Sequence, residues 1–223
     1  MCNEACILFV ARHVSPDLVR GKSVVELGIG PIGARSLLES WAPREYVGVN
    51  LHPSPHVDVA IPAERAVEQL GRGRFDVVLS TEMLEHVRDW RLVVNNVKTL
   101  CKPGGRIILT TRSRGFRYHS PPDYWRYEVS DLQRVFSDCE EVTIESDPVD
   151  PGVFVAATRP RSESGSFADL SGVALWSITQ GRRTAEIPSG PPSTVATALR
   201  LGRAWITRFG TQLVWVVRYG SVR

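Results

Sequence analysis

SVVELGIGPIGAR, residues 23–35, runs from an apolar stretch of strand-forming residues into three glycines and then into the start of a helical pattern. Gly28, Gly30 and Gly33 have GxGxxG spacing, which suits a tight turn where the backbone closely approaches a ligand. Taken alone the motif fits more than one nucleotide cofactor, and it also fits a plain strand-to-helix turn. What surrounds it decides between these.

Moving outward, YVGVN, FDVVLST, RIILTT, EVTIES and VFVAATR are further short apolar runs. Helical patterns lie between them at roughly 33–41, 62–71, 83–100 and 129–136. Strand and helix therefore alternate, which predicts an α/β chain with a doubly wound, Rossmann-like, mostly parallel sheet covered on both faces. Residues 4–14 have helical spacing and end at Ser15-Pro16, so residues 1–20 are expected to form a cover helix in front of a central domain, 21–159. The polar RSESGSF stretch reads as a linker, PSGPPS at 188–193 as a second hinge, and 160–223 as a basic, helical appendage with an amphipathic helix over 193–218.

The net charge of +3 is modest but uneven: from Arg159 on there are nine arginines and no lysine against three acids, so the rest of the chain is net negative. That balance disfavours nucleic acid as a partner of the central domain without excluding it. The tail's apolar stretch is interrupted by Arg200, Arg203 and Arg208, too much charge for a membrane span, leaving a lid, a homodimer arm or a peripheral membrane contact as its roles. Four cysteines without a CxxC pair, and a start without a basic and then apolar leader, point to the cytoplasm. Cys2 and Cys6 are read as helix-packing residues.

Three blocks together resemble the class I S-adenosylmethionine (AdoMet) methyltransferases of the broad type 11 group. These are Glu26 ahead of the glycine loop, FDVVLSTEMLEHV at 75–87, and LCKPGGRIILTT at 100–111 with its turn at Lys102–Gly105. The resemblance covers residues 22–112 and implies an AdoMet-dependent methyltransferase. It implies that Gly28, Gly30 and Gly33 form the cofactor loop, that Glu26 lies near the donor's ammonium group, and that Thr81 belongs to the same set. Asn50 stands where the family normally has an acid for the ribose hydroxyls; an amide accepts from one hydroxyl and donates to the other. For the adenine amino group, Asp58 is a candidate, with Pro62-Ala63-Glu64 in the better register.

Glu82, Glu85 and His86 are spaced i, i+3, i+4, so a helix begun after Thr81 would place all three on one face as an oxygen-rich site for Mg²⁺, Mn²⁺ or Zn²⁺. The same ExxEH pattern occurs in small-RNA 2′-O-methyltransferases and in ubiquinone-pathway O-methyltransferases. The alternative is that His86 packs beside the cofactor and the glutamates cap or face solvent. A fourth ligand, if there is one, is His119.

The stretch 115–136, GFRYHSPPDYWRYEVSDLQRVF, falls where the family places its acceptor loop. His119 and Asp123 are the candidate base and orienting acid for a hydroxyl acceptor, and Tyr124, Trp125 and Tyr127 could stack on a ring or a sugar face. The other reading has the aromatics anchor the loop and Asp131 cap the next helix. His13, His52 and His56 are isolated and carry no assigned role. The leading expectation is O-methylation of a small-molecule or glycan acceptor. RNA 2′-O-methylation with a divalent metal and a non-catalytic AdoMet-fold binding module are the alternatives.

Overall fold

The computed structural model describes residues 3–116, 122–162 and 167–187. In chain order the elements begin with α1 (Glu4–His13), α2 (Pro16–Val19), β1 (Ser23–Leu27), α3 (Arg35–Glu39), β2 (Glu45–Asn50) and β3 (Val59–Ala60). They continue with α4 (Ala66–Leu70), β4 (Phe75–Thr81), α5 (Trp90–Leu100), β5 (Cys101–Arg112), β6 (Trp125–Arg126) and α6 (Val129–Val135). β7 (Glu140–Ser146), β8 (Gly152–Thr158), β9 (Leu175–Ser177) and β10 (Arg182–Thr184) complete the described chain.

Among these residues the main sheet has seven strands in the order β3-β2-β1-β4-β5-β8-β7. β3, β2, β1, β4 and β5 pair in parallel, and β8 runs antiparallel to both β5 and β7. β1 is buried along its whole length, as a central strand covered on both faces must be. Its side chains divide between two cores. Val25 and Leu27 join α4, α5 and α6 on one face; Val24 joins Val77, Leu79, Ile108 and Phe154 under α1 on the other. This is the doubly wound sheet that the alternation of strand and helix predicts.

The cover helix forms as expected. Asn3 caps it by accepting from the Cys6 N–H at 3.1 Å, and Cys6, Phe9 and Val10 are buried against the sheet, so Cys6 is a packing residue. α6 starts on a reciprocal capping box between Glu128 and Asp131, the capping role foreseen for Asp131. At the Lys102–Gly105 turn the β4–β5 register jumps from Phe75↔Cys101 to Val77↔Arg106, so the four residues loop out of the ladder.

Two expectations need correction. The helix expected over 83–100 is broken: a 3₁₀ turn covers Leu84–His86, and α5 starts only where Asp89 accepts from the Leu92 N–H at 3.1 Å. Glu82 sits at φ +51 with its N–H on the Thr110 carbonyl at 3.0 Å, so the chain is still paired with β5 there and cannot yet turn helical. The second concerns residues 167–187, which were expected to belong to a helical appendage. Residues 167–187 instead pack back on the domain as an extended strap with the β9–β10 hairpin, and Leu170, Val173 and Leu175 enter the core that holds α5 and α6. Arg91 on α5 pins this strap, donating to the carbonyls of Leu170 at 2.9 Å, Val173 at 2.7 Å and Ala185 at 2.7 Å. The amphipathic helix expected at 193–218 lies outside the described residues. No helix among the described residues is long and apolar enough to cross a membrane.

Candidate functional site

The glycine loop closes over the carboxyl ends of β1 and β2, where open α/β sheets bind ligands. Each glycine is there for a different reason. Gly28 has φ +82, and a Cβ on it would fall 2.5 Å from that of Met83. At Gly33 a Cβ would lie 3.1 Å from Glu26 Oε1. Gly30 has no atom of the described residues within 4 Å of an ideal Cβ, and it lines a cavity. Among the described residues there is room for a side chain at Gly30, on the cavity side of the loop.

Glu26 is fully buried beneath the loop and does not line the cavity. Its carboxylate accepts from Thr81 Oγ1 at 2.8 Å, from the Tyr46 hydroxyl and from the Ala34 N–H. Burial pushes this carboxyl above its ordinary range, against those hydrogen bonds. Glu26 thus ties β1, β2, β4 and the start of α3 into one support beneath the loop. Asn50 is similarly engaged: Nδ2 donates to the Ile29 carbonyl at 2.6 Å and Oδ1 accepts from the Leu51 N–H at 2.6 Å, holding the loop to the end of β2. Asp58 accepts from the Gly48 N–H at 2.7 Å and pairs with Arg35, away from both cavities, whereas Glu64 is on a cavity wall.

Two cavities meet here. One, of about 400 Å³, runs from Gly28 and Gly30 past Thr81 to Glu82, Glu85 and Arg126. The other, of about 430 Å³, runs along Leu51, Ile61, Ala63, Met83 and Val87. Gly28, Asn50, Glu82 and His86 line both and mark the junction. Each volume is in the range of a small-molecule site.

The polar end is built from paired charges. Arg112, at the end of β5, forms an ion pair with Glu82, the two side chains each 3% exposed, and lies 3.5 Å from Asp147 Oδ2. Burial and the charge of Glu85 raise the Glu82 pKa well above the usual carboxylate range, with Arg112 opposing. Glu85 accepts from Thr111 Oγ1 at 3.0 Å. Asp123 takes a bidentate pair from Arg126, at 2.5 and 2.7 Å. The Phe116 ring lies 4.2 Å from the Arg112 guanidinium and 5.8 Å from that of Arg126. His86 Nδ1 is 2.5 Å from the Pro122 carbonyl and so donates to it, which in the neutral ring makes Nε2 the acceptor; Nε2 lies 3.8 Å from Glu85 Oε1.

Glu82, Glu85 and His86 therefore do not share a helix face, because Glu82 is in the left-handed region ahead of the 3₁₀ turn. Their carboxylates are engaged by Arg112 and Thr111, and among the described residues no group of three or more His, Cys, Asp or Glu is placed to hold a metal ion. His119 lies outside the described residues. Asp123 is on the cavity wall, paired with Arg126. Trp125 and Tyr127 are core residues and do not stack on a ligand: Trp125 Nε1 donates to the Arg88 carbonyl at 3.1 Å, and Tyr127 OH to that of Leu84 at 3.2 Å. The wall aromatic is Phe116, which the sequence reading missed. Arg126 was missed as well, although its i, i+3 spacing from Asp123 was a usable signal.

A family model described as a methyltransferase domain matches residues 3–139, well over half of the chain. The chain belongs to that methyltransferase family. The ubiquinone biosynthesis O-methyltransferase of Chromobacterium violaceum is 35% identical over 121 residues, covering 48% of this chain and 50% of that protein. The Acinetobacter baylyi protein of the same name is 31% identical over 110 residues, covering 42% and 45%. The chain thus spans about half the length of the curated relatives it matches. Among solved structures, an S-adenosylmethionine-dependent methyltransferase from Archaeoglobus fulgidus superposes with TM-score 0.57 at 13% identity, covering 70% of this chain and 93% of that one. The 1,6-didemethyltoxoflavin-N1-methyltransferase of Burkholderia thailandensis, bound to its acceptor and S-adenosylhomocysteine, gives TM-score 0.54 at 16% identity, covering 71% and 80%. At these identities the superpositions speak for the methyltransferase fold.

Proposed function

We propose that this chain is an AdoMet-dependent O-methyltransferase acting on a hydroxyl of a small-molecule or glycan acceptor. The observation that carries the reading is the pair of cavities joined at Gly28, Asn50, Glu82 and His86, one ending on the glycine loop and a wall of polar side chains, the other on apolar side chains from β2 to the 3₁₀ turn.

The residues present fit the donor. Leu51, Ile61, Ala63, Met83 and Val87 offer apolar faces for an adenine ring, and Asn50 lies at the strand end where ribose hydroxyls are held in this family. Gly28 and Gly30 leave backbone-lined space for the amino-acid portion. When bound, AdoMet supplies an already activated methyl group, so the chain needs mainly to orient the acceptor and exclude water. The acceptor oxygen would approach from the polar wall, and its proton would pass to an imidazole. His86 is suited to this, since the Pro122 carbonyl leaves its Nε2 an acceptor at the junction; His119 with Asp123 is the candidate from sequence. No step is routed through a metal, because Arg112 already supplies the cation beside Glu82. The names of the curated relatives favour oxygen over nitrogen as the atom methylated.

Transfer of labelled methyl from AdoMet to a panel of hydroxyl acceptors tests this. Turnover should be unchanged by EDTA. Activity lost to EDTA and restored by Mg²⁺ or Mn²⁺ would replace the Arg112 reading with the divalent-metal alternative, and transfer only to amines would overturn the O-methyltransferase assignment.

A further inference from the structure

The acceptor end of the cavity is lined by Glu82, Glu85, Asp123, Arg112, Arg126 and Phe116. The first five are all buried side chains, and four of them form two ion pairs, Arg112–Glu82 and Arg126–Asp123. Such a wall is fixed before any ligand arrives, and three of its properties select among acceptors. First, an apolar ring laid against it would take hydrogen-bonding capacity from buried charges and return none, which is costly. Second, each guanidinium is already paired with a carboxyl group, so a phosphate or carboxylate would have to displace an existing partner. Third, the wall mixes acceptor-only carboxylates with donor-only guanidiniums, and a hydroxyl is the group that can serve both. Phe116 adds one apolar face beside the two guanidiniums.

A ring with hydroxyls around its edge and C–H bonds on its face meets all of these conditions. Resting on the methyltransferase reading above, we infer that the acceptor is an uncharged sugar or cyclitol ring. Its hydroxyl edge lies against Glu82, Glu85, Asp123 and Arg126, and its C–H face against Phe116. The cavity of about 400 Å³ must also take the amino-acid portion of the donor, so it admits a single ring, free or as the end of a glycan. In the transfer, the ring hydroxyl oxygen bonds to the methyl carbon and the carbon–sulfur bond breaks with its electron pair going to sulfur. The hydroxyl proton goes to an imidazole of the site.

Saturation-transfer NMR on the full chain tests the inference. S-adenosylhomocysteine is added first and its own binding followed by calorimetry. The panel holds methyl glycosides of glucose, galactose, mannose, rhamnose and fucose, with myo-inositol, catechol and a short single-stranded RNA. Transfer is expected to at least one glycoside or to inositol, and Phe116→Ala should weaken it about tenfold, the loss of one stacked aromatic face. Transfer to catechol or RNA with none to the sugars overturns the inference, as does silence of the whole panel while S-adenosylhomocysteine binds. Sugar binding that Phe116→Ala leaves unchanged overturns the seating on this wall. Failure of S-adenosylhomocysteine itself to bind overturns instead the reading on which the inference rests.

Discussion

Glu26 takes hydrogen bonds from Thr81, Tyr46 and Ala34 at a position with no exposure, and a Cβ on Gly33 would press on its carboxylate. The pKa of this carboxyl is raised in the fold, so the folded state binds its proton more tightly than the unfolded chain does. This contribution to stability is therefore greatest below the ordinary carboxylate range and falls as pH rises through the raised folded value. Glu26→Gln keeps an acceptor for the hydroxyl donors and cannot ionise. Melting temperatures across pH should show the variant gaining on the native chain as pH rises through that window, and parallel profiles would contradict this account. From sequence, the glycines and Glu26 were legible as a motif. Their division of labour was not, because the contacts of Gly28 with Met83 and of Gly33 with Glu26 cross from one strand end to another. Glu82, Glu85 and His86 read in sequence as a metal-binding set on one helix face, because the partner that engages Glu82 comes from the far end of β5 and the turn at Glu82 leaves no mark in the spacing.

At the scale of elements, the strands and the cover helix were readable because buried strands and a one-sided helix leave plain apolar periodicities. The 83–100 stretch misled because Met83, Leu84, Val87 and Trp90 keep helical spacing through a 3₁₀ turn and an Asp89 cap. The strap misled because, beside Leu170, Val173 and Leu175, many of its anchors are backbone groups, which no residue type announces. β9 pairs antiparallel with β6, Ile178 N–H bonds the Tyr124 carbonyl at 2.8 Å, and Arg91 holds three strap carbonyls. Through β6 the strap fixes Arg126, and with it Asp123 on the cavity wall. Arg91→Ala should cost on the order of 2–3 kcal/mol of stability. It should also raise hydrogen exchange at Ile178 and along β9 while leaving S-adenosylhomocysteine affinity unchanged. Unaltered exchange there would show that Arg91 does not hold the strap.

For the whole molecule, the sheet places the carboxyl ends of β1, β2 and β4 at one edge, the strap pairs through β9 with β6, which carries Arg126 to the cavity wall, and two cavities meet at that edge. The central claim is that this junction binds AdoMet across the glycine loop. Gly30 tests it most directly, since a Cβ there meets no atom of the described residues within 4 Å, and thermal melts report any effect on folding. The decisive measurement is calorimetric titration of S-adenosylhomocysteine into the native chain and into Gly30→Val, with NAD as the control ligand and thermal melts of both proteins alongside. The account predicts that the native chain binds S-adenosylhomocysteine and gives no heat with NAD. It predicts that Gly30→Val melts like the native chain and binds about tenfold or more weakly, roughly 1.4 kcal/mol or more of lost affinity. A native chain that ignores S-adenosylhomocysteine, or a Gly30→Val variant that binds it as tightly as the native chain, would contradict the claim.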